Sequence, residues 1–391
     1  MMPEIRAARS EEAEAVLETL CAAFDLNVAT ARPIFYADPY YDLSHKRVLV
    51  LPDVGIVSCL TVVPNQLRIG GVAVPVAGVA GVATRPAFQR QGFAASLLAA
   101  TLPALWDELG YPLSSLHPIS ASFYRRFGWE TASSILSWSA VPSSLPQAAE
   151  ADFVRPGTSE DWAVMAALHT ELTDTGTGTC LRDSRRWALV QMNVPGREIY
   201  LYKDMDGVTG YVLWERGATL EVLEMLGQTP SARRGLVGFL ARQPGPVVHW
   251  SSSPALLAAF GFSAANKQAE PDIMLRPVSL EASLKALHAA HFGPVLAGKS
   301  ASLTFCVSDA LCPENARPLR LTPMGVEVGS ARDPHWLRTD IQTLGPLLTG
   351  YSLPSDAHRE GQLTTDSPET LALADQLFPL RSPYVAPLDQ S

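Results

Sequence analysis

Two stretches of the chain, separated by a Pro- and Ser-rich linker at Val141–Ala151, repeat one order of predicted elements. In each stretch a helix is followed by strands rich in Val and Ile, a basic loop, an apolar helix and a further strand. Both stretches then close on a similar pattern, Phe127-Gly128-Trp129 in the first and Phe260-Gly261-Phe262 in the second. This repeat predicts two consecutive copies of one α/β or α+β domain.

A third segment begins near Pro277, where the repeated order stops. A helix is predicted at about 280–291, and extended runs and another helical stretch follow it, which indicates a small α/β domain. A chain of 391 residues, of which 47% are hydrophobic, is long and apolar enough for two or three packed domains. We therefore expect domains over residues 1–145, 146–278 and 279–391.

The charge balance and the cysteines exclude several classes of protein. With 30 Lys and Arg against 39 Asp and Glu, the net charge of −9 disfavours a nucleic-acid partner, because phosphate binding needs clustered cations. The same charge suits a cationic partner, although it is also ordinary for a soluble surface. Five cysteines without a CxxC pair favour a reducing, cytoplasmic environment. The uncharged run Ile69–Thr84 is shorter than the about 18 residues of a membrane span, so no membrane partner is expected.

The stretch Gly81–Ala95 contains the sequence pattern that most clearly indicates a ligand-binding function. An apolar strand ends there in a basic and polar loop, which passes directly into a helix. The loop fits the pattern [Gln/Arg]-x-x-Gly-x-[Gly/Ala] through Gln89, Gly92 and Ala94. Free backbone N–H groups and the helix dipole attract a pyrophosphate at such a helix start, and a glycine lets the backbone approach it closely. The structural alternative is a polar loop that simply precedes an amphipathic helix.

A second pattern follows one helix and one strand later, over residues 116–129. It places Tyr124 on a short helix between the next strand and the Phe-Gly-aromatic corner. Together the two patterns resemble the GNAT superfamily of N-acetyltransferases, and the whole domain order resembles its Eis (enhanced intracellular survival) family. The resemblance extends into the third segment at two stretches, Asp309–Asn315 and Ala374–Pro379. The resemblance implies tandem GNAT domains, the second one degenerate, followed by a sterol-carrier-protein-like α/β domain whose C-terminus reaches the active site of the first.

The resemblance also implies roles for individual residues. Acetyl-CoA is the expected co-substrate, and no metal is expected, since His288 and His291 lack further ligands at matching spacing. Tyr124 would be the general acid that protonates the leaving thiolate, and the C-terminal carboxylate of Ser391 would be the general base. Independently of the resemblance, the position of Asp25 at the end of the first helix makes it a candidate contact for the cationic substrate, with an ordinary surface carboxylate as the alternative. The residues expected to bind acetyl-CoA lie at the strand end, in the loop and helix start, and after the next strand: Val82, Ala83, Thr84, Gln89, Arg90, Gln91, Gly92, Phe93, Ala94, Ala95, Pro118, Ile119 and Ser120.

The tail and the second domain depart from the family pattern. Family members tend to end in an aromatic residue, whereas this chain ends in Leu-Asp-Gln-Ser, so water or Asp389 is an alternative base. In the second domain Ala232, Val237 and Leu257 stand at the positions of the loop glutamine, the small loop residue and the tyrosine. We expect this domain to bind no CoA and to serve as a scaffold.

The expected function is transfer of an acetyl group from acetyl-CoA to a primary amine, by direct attack in a ternary complex. An aminoglycoside-like compound, a polyamine or a protein Lys side chain would each supply the amine. Two alternatives are a lipid- or sterol-binding carrier and an inactive CoA sensor, which a tail placed away from Tyr124 would favour. The alternative role of Tyr124 itself is that of a packing aromatic. By resemblance, the chain is expected to form a homo-oligomer such as a hexamer.

Overall fold

The structure is a computed structural model, and it describes residues 3–192, 194–245, 247–262, 269–330 and 332–390. These residues form three mixed sheets in two compact units. The first unit combines the chain up to Ala132 with Ile273–Arg381. The second unit combines Ser133–Asp272 with Ser382–Gln390.

The strands and helices have the following bounds in chain order. The strands are β1 (Glu4–Ala7), β2 (Lys46–Leu51), β3 (Gly55–Ile69), β4 (Val72–Thr84), β5 (Leu113–Leu116), β6 (Glu130–Thr131), β7 (Ser134–Ala140), β8 (Val154–Pro156), β9 (Arg197–Asp204), β10 (Gly207–Arg216), β11 (Leu220–Gly227), β12 (Val248–Ser252), β13 (Ala269–Pro271), β14 (Met274–Pro277), β15 (Leu303–Ser308), β16 (Leu319–Thr322), β17 (Gly325–Val328), β18 (Trp336–Asp340) and β19 (Leu363–Thr365). The helices are α1 (Ala13–Phe24), α2 (Val28–Ala37), α3 (Phe93–Asp107), α4 (Ala121–Arg125), α5 (Trp162–Thr173), α6 (Ser184–Val190), α7 (Pro230–Ala241), α8 (Pro254–Ala259), α9 (Leu280–Leu287), α10 (Gly293–Lys299), α11 (Ile341–Thr349), α12 (Pro354–Arg359) and α13 (Pro368–Leu377).

The first sheet has the strand order β1-β2-β3-β4-β5-β14-β6 and lies in the first unit. The long β3–β4 hairpin forms its centre, and the turn between the two strands consists of Gly70 and Gly71, with φ of 54° and 85°. Two consecutive residues with positive φ suit a tight hairpin turn, and glycine adopts them at little cost. Side chains alternate along the strands, so one face of the sheet packs on α1 and the other packs on α3 and α4.

The second sheet repeats this arrangement with the order β8-β9-β10-β11-β12-β7-β13. Each sheet therefore has five strands from its own half of the repeat, then one strand from the other half, then a short edge strand. β14 follows the second half in sequence but pairs with β5 and β6, and β7 follows the first half but pairs with β12 and β13. The shared order confirms the predicted repeat. The boundaries predicted at residues 145/146 and 278/279 stay a prediction.

The third sheet has the order β17-β16-β15-β18-β19 and belongs to the first unit. Its core includes ring contacts of Phe378 with Phe292 and Phe305. α11 follows β18 and packs against β14 and β6, which ties this sheet to the first one. Within the described parts of the chain, no helix is both long enough and apolar enough to cross a membrane.

Candidate active site

The end of β4 separates from β5 and opens a cleft in the first sheet, called the first cleft below. The two parallel strands pair only from Val76 and Leu113 to Gly78 and Ser115, whereas β4 continues to Thr84. On its other side β4 carries a bulge, because its pairing with β3 shifts between Ala80 and Ala83. A bulge bends and twists a strand locally, which turns the end of β4 away from its neighbour. Backbone groups at the end of β4 are therefore left facing the first cleft.

The loop after β4 presents backbone N–H groups at the start of α3. Arg90 and Gly92 have φ of 61° and 86°, and such alternating left-handed residues turn successive N–H groups toward one point. α3 begins at Phe93 without a side-chain cap, so its first N–H groups have no partner within the helix. The helix dipole adds partial positive charge at the same place. A Cβ added at Gly92 would meet no atom within 4 Å, so the backbone conformation rather than crowding favours glycine there. This arrangement fits a pyrophosphate.

Polar side chains hold the loop in this shape. The amide nitrogen Nε2 of Gln89 donates to the carbonyl of Thr84 at 3.2 Å, and Nε2 of Gln91 donates to the carbonyl of Ala87 at 3.3 Å. The hydroxyl of Thr84 lies 2.9 Å from that of Ser58. Gln89, Arg90 and Gln91 are exposed. The two glutamines therefore stabilise the loop itself, which leaves its backbone N–H groups and the Arg90 side chain to face a ligand.

Tyr124 lies on α4, which follows β5 after the short loop of Pro118, Ile119 and Ser120. Its side chain is buried, and its ring makes edge-on contacts with Phe123 and Trp129 at centroid distances of 5.0 and 6.3 Å. Burial raises the pKa of its hydroxyl. The hydroxyl therefore stays protonated at neutral pH and is available as a proton donor.

The structure brings the strand end, the helix start and Tyr124 together around one apolar cluster. Val82, Phe93 and Ala95 all pack against the buried cluster to which Tyr124 belongs. Ala83 is buried on the other face of the sheet, in the cluster that includes residues of α1. Pro118 is half-buried and Ile119 is 88% exposed, beside the N-terminus of α4.

Among the described residues, the predicted Asp25 and Asp389 make no contact with this cluster. Asp25 is exposed at the end of α1, where it has a left-handed φ of 54° and its backbone N–H donates to the carbonyl of Cys21. α1 lies on the face of the sheet opposite α3, so no described contact links Asp25 with Tyr124. Ser391, the predicted base, lies outside the described residues. Asp389, the alternative base, is buried in the second unit with both carboxylate oxygens accepting from Arg182. Both oxygens of the Asp389 carboxylate are therefore already occupied by this ion pair.

Sequence reasoning missed a buried arginine that supports the turn after Tyr124. Arg276 of β14 donates through Nη1 to the carbonyl of Phe127 and through Nη2 to Asp309, at 2.7 Å from Oδ2. Asp309 also accepts from the side chain of Asn315, so the third-segment pattern that carried the resemblance has a structural role. The signal in the sequence is a single arginine within the apolar strand Met274-Leu275-Arg276.

Three family models match the chain. A GNAT acetyltransferase domain matches residues 4–132, a second GNAT acetyltransferase domain matches residues 178–277, and a sterol carrier protein domain matches residues 283–386. The chain therefore contains two GNAT acetyltransferase domains. The predicted fold, tandem GNAT domains followed by a sterol-carrier-protein-like domain, is confirmed. The predicted enzyme class is confirmed as well, because GNAT domains support acyl transfer with acetyl-CoA as co-substrate.

Solved structures of GNAT proteins match this chain from end to end. A GCN5-related N-acetyltransferase from Anabaena variabilis has a TM-score of 0.83 at 22% identity and covers 100% of both chains. One from Kribbella flavida has a TM-score of 0.82 at 21% identity, with coverage of 100% of this chain and 98% of its own. Eis1 from Mycobacterium abscessus has a TM-score of 0.76 at 21% identity, with coverage of 98% and 99%. At these identities the likeness shows the fold, which is consistent with an Eis-type architecture. No match was found among curated proteins.

Proposed function

We propose that this GNAT protein transfers the acetyl group of acetyl-CoA to a primary amine. One observation carries the proposal: in the first unit, the open end of β4, the uncapped start of α3 and the buried hydroxyl of Tyr124 surround one apolar cluster. The loop Gln89–Gly92 and the first turn of α3 would bind the pyrophosphate. The backbone of Val82, Ala83 and Thr84, with Pro118–Ser120 opposite, would hold the pantetheine arm.

The reaction itself is direct attack of the amine on the thioester in a ternary complex. A C–N bond forms as the C–S bond breaks, and a backbone N–H near Val82 would stabilise the negative charge on the carbonyl oxygen. Tyr124 would donate its proton to the leaving thiolate, and its raised pKa keeps the hydroxyl protonated at neutral pH until that step. The thioester supplies the activated acyl group, and the protein supplies position and protons.

The amine needs a base, because an amine of the Lys type has a pKa of about 10.4 and is mostly protonated at neutral pH. We assign this role to the C-terminal carboxylate of Ser391. A free α-carboxyl titrates near pH 3.5, so it would act as a useful base only where its surroundings raise its pKa. Asp25, at the end of α1, would attract the cationic substrate. The net charge of −9 suits a cationic substrate such as an aminoglycoside, a polyamine or a Lys side chain.

Two further parts of the proposal rest on the resemblance to the Eis family and on the cysteines. A homo-oligomer, a hexamer by resemblance, is proposed. A cytoplasmic location is proposed because all five cysteines are free thiols.

The alternative of a lipid carrier gains no support from the cavity of about 600 Å³ beside α3, since Asp107, Glu281, Lys285 and Arg317 are among its lining residues.

The test is thiol release from acetyl-CoA with a panel of primary amines. Tyr124→Phe should lower kcat by at least tenfold while KM for acetyl-CoA changes little, because only the proton donor is lost. Tyr202→Phe is the matched control, since Tyr202 is a buried tyrosine of the second unit. A one-residue extension after Ser391 should lower kcat if the terminal carboxylate is the base. A wild-type protein that binds CoA but acetylates no amine would overturn the proposal in favour of a CoA sensor.

A further inference from the structure

The second sheet contains an opening that corresponds to the first cleft. β11 and β12 pair in parallel from Leu220 and Val248 to Val222 and Trp250, whereas β11 continues to Gly227 and β12 to Ser252. These two strands occupy the same places in the second sheet as β4 and β5 in the first. The opening between their ends, called the second cleft below, is therefore the topological counterpart of the proposed acetyl-CoA site.

The second cleft is filled by the segment Ser382–Gln390, called the tail below. The short turn Pro387–Asp389 packs against β11. Between the tail and the strands there remains a small cavity of about 30 Å³. Its lining residues include Glu224 and Met225 from β11, Trp250 from β12, and Tyr384 and Asp389 from the tail.

Hydrogen bonds to backbone carbonyls hold the first residues of the tail in the second unit. The backbone N–H of Tyr384 donates to the carbonyl of Thr177 at 2.9 Å, and its buried hydroxyl donates to the carbonyl of Ser251 at 3.3 Å. Gly178 has a φ of 87°, and a Cβ there would lie 2.7 Å from the backbone of Tyr384. The glycine therefore permits a close approach that any other residue would obstruct.

A charged site inside the second cleft recognises the acidic residue of the tail. Arg182, whose side chain is 0% exposed, donates to the two oxygens of Asp389 at 2.8 and 2.9 Å. The same guanidinium donates to Glu224 at 2.6 and 3.0 Å, and the hydroxyl of Tyr211 donates to Glu224 at 2.5 Å. A bidentate pair of this kind is strong and geometrically specific where water is excluded. Beyond it, the side-chain amide of Gln390 donates to Asp272 at 2.9 Å.

The features that suit the first cleft for acetyl-CoA are altered in the second unit. The side chain of Thr229 caps α7 by accepting from the N–H of Ala232, so a group that stays free in α3 is already bonded here. Leu257, at the position of Tyr124, is part of the apolar core. We propose that the second cleft is a peptide-binding site whose ligand is the chain's own tail, with Arg182 recognising Asp389. If Ser391 is the base, a role that rests on the proposed function, Arg182 is a positioning residue for it.

The test uses the full chain with one charge removed from the tail. Asp389→Asn should increase at least tenfold the rate at which carboxypeptidase releases residues from Gln390 inward, because the tail then leaves the second cleft more often. Asp152→Asn is the matched control, since it breaks an exposed Arg–Asp pair of the same unit, 2.6 Å from Arg242, and touches no described tail residue. Gln390→Ala removes one neutral hydrogen bond and should increase the release rate by a smaller factor, about threefold. This second variant serves if Asp389→Asn does not fold.

Release rates that stay at the wild-type value in both tail variants would overturn the peptide-binding site. Acetyl transfer by the same variants tests the positioning role separately. A positioning role predicts a lower kcat for Asp389→Asn with an unchanged KM for acetyl-CoA, and partial rescue by Asp389→Glu. Faster release with an unchanged kcat would support the peptide-binding site and would overturn the role of the tail as carrier of the base.

Discussion

Asp309 neutralises Arg276 inside the first unit, where Oδ2 of the carboxylate lies 2.7 Å from Nη2 and both side chains are 1% exposed. Arg276 belongs to β14, and Asp309 follows β15 of the third sheet. The same guanidinium donates to the carbonyl of Phe127, in the turn that follows Tyr124. This pair therefore connects the sterol-carrier-protein-like segment to the backbone that positions the proposed acid.

Removal of the charge on Asp309 should destabilise the first unit strongly. Asp309→Asn leaves the buried guanidinium of Arg276 without its counter-charge, and the free energy of unfolding should fall by about 3 kcal/mol. Urea unfolding followed by circular dichroism measures the loss. Glu281→Gln is the control, because Glu281 pairs with Lys285 on the surface and such pairs contribute about 0–1 kcal/mol. Equal losses in the two variants would contradict a buried charge pair that supports the fold.

Gly128 is predicted to be required for space as well as for backbone conformation. Its φ is 86°, and an added Cβ would collide with Nη1 of Arg276 and lie 2.9 Å from Ile341. Gly261, its counterpart in the repeat, has a φ of 79° but open space around it. Gly261→Ala should cost only the left-handed strain of about 1–2 kcal/mol. Gly128→Ala should cost about 1–3 kcal/mol more, because the buried neighbours must move.

Thermal and urea unfolding of these two glycine variants provide the comparison. Gly128→Ala should also lower kcat of acetyl transfer, since the displaced Arg276 supports the turn after Tyr124. Similar stabilities for the two variants would show that crowding at Gly128 is relieved without cost.

The parts of the site that the sequence predicted are those determined by neighbouring residues. The loop pattern of Gln89, Gly92 and Ala94 specifies a turn and a helix start within a few residues, and the structure has both there. The repeat was visible because Phe127-Gly128-Trp129 and Phe260-Gly261-Phe262 are local patterns as well. Local backbone preferences and periodicity are therefore sufficient to predict the loop, the helix start and the repeat.

The parts that remained hidden depend on residues far apart in the chain. β14 pairs with β5 although more than a hundred residues separate them, and local periodicity does not specify which strand a short apolar run will join. Arg182 meets Asp389 across an even longer separation, and neither residue differs in sequence from an ordinary surface charge. Burial alone distinguishes them, and burial is a property of the assembled fold.

Gly92 is predicted to determine the affinity for CoA. Gly92→Ala places a Cβ in open space but strains a left-handed residue, so the loop should shift and its N–H groups should lose their common direction. The dissociation constant of CoA should increase about tenfold, the equivalent of about 1.4 kcal/mol. Gly110→Ala is the matched control, because Gly110 has a φ of 75° and open space just past the other end of α3. Isothermal titration calorimetry compares the two. Equal weakening would indicate general damage to α3 rather than a phosphate site at its start.

The protonation of Tyr124 predicts the alkaline limit of the reaction. Burial raises the pKa of this hydroxyl above the ordinary value of about 10, so the proton donor is present at neutral pH and is lost only as the pH rises through the raised pKa. The rate of acetyl transfer should therefore not decline through Tyr124 below about pH 10. The same sign holds for stability, because this contribution is fully present below the unfolded-state pKa of about 10 and is lost as the pH rises through the raised folded-state pKa. The check is the difference in tyrosinate absorbance between wild type and Tyr124→Phe during an alkaline titration. A difference that titrates near neutral pH would contradict a buried, protonated Tyr124 and would remove it as the acid.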